Sequence, residues 1–486
     1  MPVVDNATAD RVRAAAADAI ERHHVPGISI GIVRGDDLVF CESFGYADIE
    51  SSVPMTPEHR QCIASITKTM VGLSIMALVD EGRLRLEHRV VDLLPDVKFD
   101  GPASSMTLQH LLTHSSGIGE APTQDRLNNA VNPNAEIRRK PADFAETFLD
   151  GVVVEFEPGT KWHYANVGYE LLGEILQRTE KASLDDILRR RIFAPLGMND
   201  TDALGQPHPA LATPYHRAPN EDTRFQLERA GMPPQEEQTV DGLNIRGTYR
   251  GEFSKSGLAA GGVQSTIPDM ARYASAMLRR GHPVVRGETF DRMLAPQYAP
   301  DTRLVHWGLS FARNPRYGRT FIGHGGAYFG GWNSHLDFLP DENIAVIQHM
   351  NIMMDDSTLV FRPVLRAVLN ETEPSYPERA VDPTILESAP GRYALTPGRL
   401  TNFRPATRIG RVEITRESDG LALRSRWGKW KHGVRLTPCD ATDAAYFAIQ
   451  LDGHDPDYIA LTRGDDGRVS GLRCDDLTHM LREPVE

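Results

Sequence analysis

Cysteine is nearly absent: four in 486 residues, Cys41, Cys62, Cys439 and Cys474. With no C-x-x-C spacing among them, they read as reduced structural thiols and not as a disulfide framework. A metal site is also missing from the pattern. The one H-x-x-x-H pair, His110 and His114 in "HLLTH", lacks the glutamate of H-E-x-x-H and a third ligand nearby, so neither metal nor other cofactor is expected. Positive charge is in deficit, 53 Lys and Arg against 66 Asp and Glu for a net −13, which argues against nucleic acid and anionic membrane surfaces as partners. No apolar run reaches membrane-spanning length, and "MPVVDNATADRVRAAAADAI" has acidic residues where a signal peptide would be basic. The expected setting is therefore cytoplasmic and the expected partner a small molecule or short peptide; the oligomeric state is not readable.

What is present is an ordinary globular chain, 40% hydrophobic and free of low-complexity tracts, with room for more than one domain. A helix over roughly Thr8 to His24 leads into "ISIGIVRGDDLVFCESFGYAD", two strands around a Gly-Asp-Asp turn. Helix signals dominate up to about Gly281. Strand signals then return in "RTFIGHGG", "WNSHLDFLP" and "NIAVIQHMN", before a last helix near Thr358 to Asn370. This order suits an α/β (α+β) domain: an antiparallel sheet whose first strands pair with late ones, flanked by helices, with a helical region inserted and a cleft at the junction. The linker "NETEPSYPERAVDPT" then gives way to short alternating strands with Gly-Asp turns, as in "GRVEITRESDGLALRS" and "YIALTRGDDGRVSGLRC", which read as an all-β barrel. The predicted boundaries are 1–372, a linker at 373–385, and 386–486.

The chemistry is suggested by "CIASITKTMV". Ser65 and Lys68 lie one helical turn apart on one face, so an ammonium can reach a hydroxyl. Most S-x-x-K matches are only a capping serine and a solvated lysine. Here the following "TMVGLSIMALVDEG" is apolar nearly all round, which predicts a buried helix of about five turns starting at or just after Ser65, with Gly82 as its stop. A lysine buried there needs a reason.

Further along, "KWHYANVGYELLGEI" sets Tyr164 and Asn166 just before a helix, and "FIGHGGAYFGGW" sets His324, Gly325 and Gly326 at the end of a strand. S-x-x-K, Y-x-N and an H-x-G triplet in this order resemble the serine β-lactamase and penicillin-binding-protein-like family. "MTLQHLLTHSSGI", "FEPGTKWHYANVGYELLGEIL", "FAPLGMNDT" and "AAGGVQSTIPDMARYASAML" extend the likeness over Val12 to Asn370. The resemblance implies an acyl-enzyme with Ser65 as nucleophile, Lys68 and Tyr164 as the base pair, Asn166 placing the acyl amide, and the backbone N–H groups of Ser65 and Ala327 as oxyanion hole. Such a donor contributes on the order of 3 kcal/mol. A neighbouring cation lowers the pKa of a tyrosine and desolvation that of a lysine, so each base can activate the other.

The third motif has two candidates. "KSG" at Lys255 matches the family's K-T-G by letters, "HGG" at His324 by its strand context, and His324 is preferred; His306 in "HWG" lacks the middle glycine. A histidine, mostly neutral at pH 7, weakens the case for binding a drug carboxylate and hence for β-lactamase activity. The family's H-x-G members include D-stereospecific aminopeptidases and amidases, peptide-cyclising thioesterases and carboxylesterases, several with a lipocalin-like domain after the catalytic unit. The expected function is therefore hydrolysis of an amide in a small peptide or amino-acid derivative, D-configured substrates included. Carboxylesterase or thioesterase chemistry on the same residues is the alternative; a β-lactamase or a non-catalytic binder ranks lower. Asn166 has a rival role as a helix cap, and His110, His114, Gly261, Gly262 and Cys62 read as structural.

Overall fold

The computed structural model describes residues 4–119, 151–205, 208–217, 238–240, 243–245, 258–328, 331–354, 356–377, 379–395, 409–418, 420–426, 428–451, 455–475 and 478–484. They divide into two compact units: residues 1–298, 307–313 and 319–371 form the first, and 299–306, 314–318 and 372–486 the second. Among the described residues no helix is long and apolar enough to cross a membrane.

The first unit is built on an antiparallel sheet whose long strands are β1 (Gly27–Arg34), β2 (Asp37–Asp48), β3 (Arg319–Tyr328), β4 (Trp332–Leu339) and β5 (Ile344–Met350). Their order is β3-β4-β5-β1-β2, so the first hairpin does pair with the late strands, Ile30 lying opposite Gln348. β1 is buried along nearly its whole length because the sheet is covered on both faces. Helix α1 (Asn6–His23) starts where the Asp5 carboxylate accepts from the Thr8 N–H at 2.8 Å, and it buries Val12, Ala16 and Ala19 on one stripe.

Helix α2 (Thr67–Asp80) runs through the core and is buried without a break from Thr67 to Leu78. It is shorter than its sequence suggests. Fourteen residues make about four turns, and Ser65 sits before it on a 3-10 turn, Ala64–Ile66. The cause is the tight exit from the bridge of Gln61 and Cys62 to Gln264 and Ser265, which drives Ala64 to φ +46° and leaves no room for a wider α turn. Helix α3 (Asn166–Glu180) packs beside α2, as does the short α4 (Leu258–Gly261). Helix α5 (Ile267–Leu278) lies on the sheet, its start capped as its sequence indicates, with the Thr266 hydroxyl accepting from Asp269 N–H. Helix α6 (Thr358–Leu369) packs against α1.

In the second unit eight short strands close into an antiparallel barrel: β6 (Gly391–Leu395), β7 (Val412–Arg416), β8 (Leu421–Ser425), β9 (Val434–Pro438), β10 (Tyr446–Ile449), β11 (Asp457–Arg463), β12 (Val469–Cys474) and β13 (His479–Arg482). Closure comes from β6 pairing with β13, Tyr393 opposite Arg482. Inward residues such as Val412, Ile414, Phe447 and Leu472 fill the interior, which is why the alternation was visible in the sequence.

Candidate active site

Ser65 is partly exposed at the head of α2, and one turn on Lys68 is completely buried. Placing an ammonium in this core costs several kcal/mol unless its protons find acceptors. Lys68 Nζ donates to Ser65 Oγ at 2.9 Å and to the Ala260 carbonyl at the end of α4. Two rings add their faces, with Nζ 5.1 Å from the centroid of Tyr164 and 5.5 Å from that of Tyr169.

Tyr164 is held by a residue that the sequence suggested to be merely structural. His114 follows a short helix, Leu108–Leu112, and takes a left-handed conformation at φ +56°. Its carbonyl accepts from His163 N–H at 2.8 Å and its Nδ1 from Ala165 N–H at 3.2 Å, which pins the chain on either side of Tyr164. The two rings stack at 4.2 Å and 28°. Trp307 stands edge-on to His114 at 5.2 Å and Trp162 lies 5.6 Å from Trp307, walling this side of the site with aromatics. Asn166 is the first residue of α3; Ala165 occupies the cap position, so the rival role for Asn166 is not used.

The third segment arrives on β3. A Cβ at Gly326 would fall 2.2 Å from the Ile63 carbonyl, so a glycine there is what allows the strand to lie against the turn carrying Ser65. Gly325 and Ala327 are exposed while His324 and Gly326 are buried, as strand alternation demands. His324 Nδ1 donates to the Gly325 carbonyl at 2.6 Å. Burial, reinforced by the charge of Lys68, pushes the imidazole pKa down to about 3, so it is neutral at pH 7. Ser65, Lys68, Tyr164, Asn166 and His324–Ala327 thus all belong to the first unit. Lys255 and its neighbours in "KSG" lie outside the described residues. His306 is in the second unit, where its Nδ1 donates to the Leu304 carbonyl. Cys62 is a packed thiol, its Sγ directed to the Gly261 carbonyl and its pKa raised by burial to about 12.

Glu170 was not singled out in the sequence, although a carboxyl inside the apolar stretch of α3 was there to be noticed. Its Oε1 accepts from the Ala260 N–H at 2.8 Å, so the N–H of Ala260 serves Glu170 while its carbonyl serves Lys68. Burial raises its pKa to about 8 against the opposing pull of the Ala260 N–H and of Lys68, leaving it protonated at neutral pH. Because the folded value exceeds the unfolded one, the folded state holds the extra proton between about pH 4.5 and 8, and stability falls as pH rises through that window. Glu170→Gln keeps the acceptor and removes the titration. The expected result is a variant whose stability relative to wild type grows from pH 5 to 8.5, by up to roughly 4 kcal/mol, in urea unfolding. Its kcat/KM should also hold further into the alkaline range, because no carboxylate forms there to favour the ammonium of Lys68. Parallel stability profiles would show that the carboxyl titrates normally.

Comparison with known proteins places this geometry. The family described as Beta-lactamase matches residues 12–369. "Protein flp" of Staphylococcus aureus (strain MW2) is 31% identical over 185 residues, 37% of this chain and 36% of that protein. "Esterase EstB" of Burkholderia gladioli is 28% identical over 226 residues, 45% of this chain and 57% of that protein. The match therefore spans about a third of flp and just over half of EstB. Among solved structures, D-amino acid amidase from Ochrobactrum anthropi SV3, complexed with L-phenylalanine amide, superposes with a TM-score of 0.60 at 26% identity, covering 75% of this chain and 99% of that one.

Proposed function

Because the chain belongs to the beta-lactamase family, we propose that it is a serine hydrolase that cleaves an amide in a small peptide or amino-acid derivative through an acyl-enzyme on Ser65. The observation that carries the reading is the wholly buried Lys68 with its Nζ 2.9 Å from Ser65 Oγ. In the reacting form the Lys68 and Tyr164 pair is one proton short, takes the Ser65 proton as Oγ attacks the carbonyl, and returns a proton to the departing nitrogen. The N–H groups of Ser65 and Ala327 receive the oxyanion, and Asn166 with the His324, Gly325 and Gly326 edge aligns the substrate.

An amide is favoured over a β-lactam by the neutral His324, which offers no cation to a carboxylate, and by the likeness to the D-amino acid amidase. The likeness to EstB supports a second reading, ester or thioester cleavage on the same residues. A panel of D- and L-amino-acid amides beside short p-nitrophenyl esters, with the mass of the trapped adduct measured, separates them. The expected outcome is acylation of the Ser65 peptide by amides; acylation by esters alone would move the assignment to an esterase.

A further inference from the structure

Hydrogen-bond polarity at His324 is fixed by its neighbours. A carbonyl only accepts, so the 2.6 Å contact to the Gly325 oxygen makes Nδ1 the protonated nitrogen. Nε2 is then a bare lone pair. It is buried and no described residue of the protein bonds to it. Leaving such an acceptor unmade is unfavourable, a penalty that a ligand bringing a donor relieves.

Its place is equally defined. His324 shares a face of β3 with Gly326, and Gly326 lies against Ile63 and Ala64, the two residues before Ser65. The imidazole stands 5.5 Å from Trp307 and 6.1 Å from Tyr164, the residue to which the proposed mechanism gives the proton transfer to the departing group. The ionisable groups near it do not change its polarity. Lys68 is directed at Ser65 Oγ and Ala260 O, and Glu170 beyond it is protonated at neutral pH. His335 on β4 is itself held neutral by burial, with a pKa of about 4, and its Nε2 meets Ser357 Oγ at 2.8 Å. Among the described residues no cation is directed at Nε2 to greet a carboxylate.

We propose that His324 Nε2 accepts a hydrogen bond from an N–H carried by the leaving group of the substrate, so that the site selects leaving groups ending in a carboxamide and rejects those ending in a free carboxylate. This rests on the reading of Ser65 as nucleophile and sharpens it: at Nε2 the imidazole has no proton to give and demands a donor. A carboxylate at this place presents only lone pairs to a lone pair. A dimethylated amide is neutral yet has no proton to give.

The test uses the full chain and one acyl group joined to glycine, with the glycine ending as carboxamide, N,N-dimethylcarboxamide or free carboxylate. At pH 7 kcat/KM should fall about tenfold from the first to the second and about a hundredfold to the third, from the lost bond and then the added repulsion. His324→Ala should level the first two, and His324→Lys should raise the carboxylate above both. Phosphonate labelling of Ser65 and turnover of p-nitrophenyl acetate, which carries no N–H, report on the nucleophile separately. Ser65 labelled with the carboxamide and dimethylamide cleaved equally, or with the carboxylate preferred, overturns the proposal while leaving the hydrolase reading intact; an unlabelled Ser65 removes both. An ¹⁵N spectrum of the wild-type imidazole gives a readout without variants, in which Nε2 should stay unprotonated from pH 5 to 8. A protonated Nε2 in that range would also overturn the proposal.

Discussion

Replacing Ser65 by Ala should abolish turnover of every substrate and all labelling by a serine-directed phosphonate, while the protein still folds. The loss in kcat should be at least about 10⁴-fold, because Ser65 carries the hydroxyl that Lys68 reaches and the oxyanion donors alone supply only the residue of catalysis that survives loss of a nucleophile. The fold should survive for reasons visible in the geometry. Ser65 is partly exposed on the short turn, its Oγ receives one bond from Lys68, and water can take the vacated place while the Ala260 carbonyl keeps its share of the ammonium. Circular dichroism and the thermal midpoint should stay close to wild type. Tryptic mapping of the labelled wild type should place the adduct on the peptide containing Ser65; labelling that persists at another serine in the variant would place the chemistry elsewhere.

The parts of this architecture that could be read beforehand are those governed by short-range pattern. The hairpin at Gly35 and Asp36, the apolar run after Lys68 and the alternating strands beyond residue 391 each have a period that local geometry enforces. The start of α2 could not be read in the same way. Alanine gives no sign of a left-handed conformation, and Ala64 adopts one because the chain is clamped between Cys62 and α2.

The site divides along the same line. Ser65 and Lys68 neighbour one another in sequence, and their proximity follows from one helical turn. His114 meets Tyr164 from about fifty residues away, and Trp307 and β3 arrive from much later in the chain, so their association is a property of the sheet and not of any window. Glu170 is intermediate: its position among buried Val167, Leu171 and Leu172 was a signal, but its role depends on Ala260, brought beside it by packing of α4 on α3.

Lys68 and Tyr164 should behave as one unit. Nζ lies over the tyrosine ring at 5.1 Å, with the same ring stacked on His114 from a second direction, so a charge on the lysine is felt directly by the phenol and the phenol cannot swing away. If a single proton deficit is shared between them, removing either group leaves the other without the partner that makes it a base at pH 7. Lys68→Ala and Tyr164→Phe should then each lower kcat by at least about 10²-fold, and the double variant should lose far less than the product of the two. Lys68→Met serves where alanine leaves too large a void, since it fills much of the buried volume without a charge. Even so, it strands the Ala260 carbonyl and should cost about 1–3 kcal/mol in denaturant unfolding. Tyr164→Phe keeps the stack on His114 and should cost little stability, which lets its kinetic effect be read alone. Pre-steady-state acylation rates for the two singles and the double close the cycle; losses that multiply would mean that each residue acts on a different step and that no proton is shared.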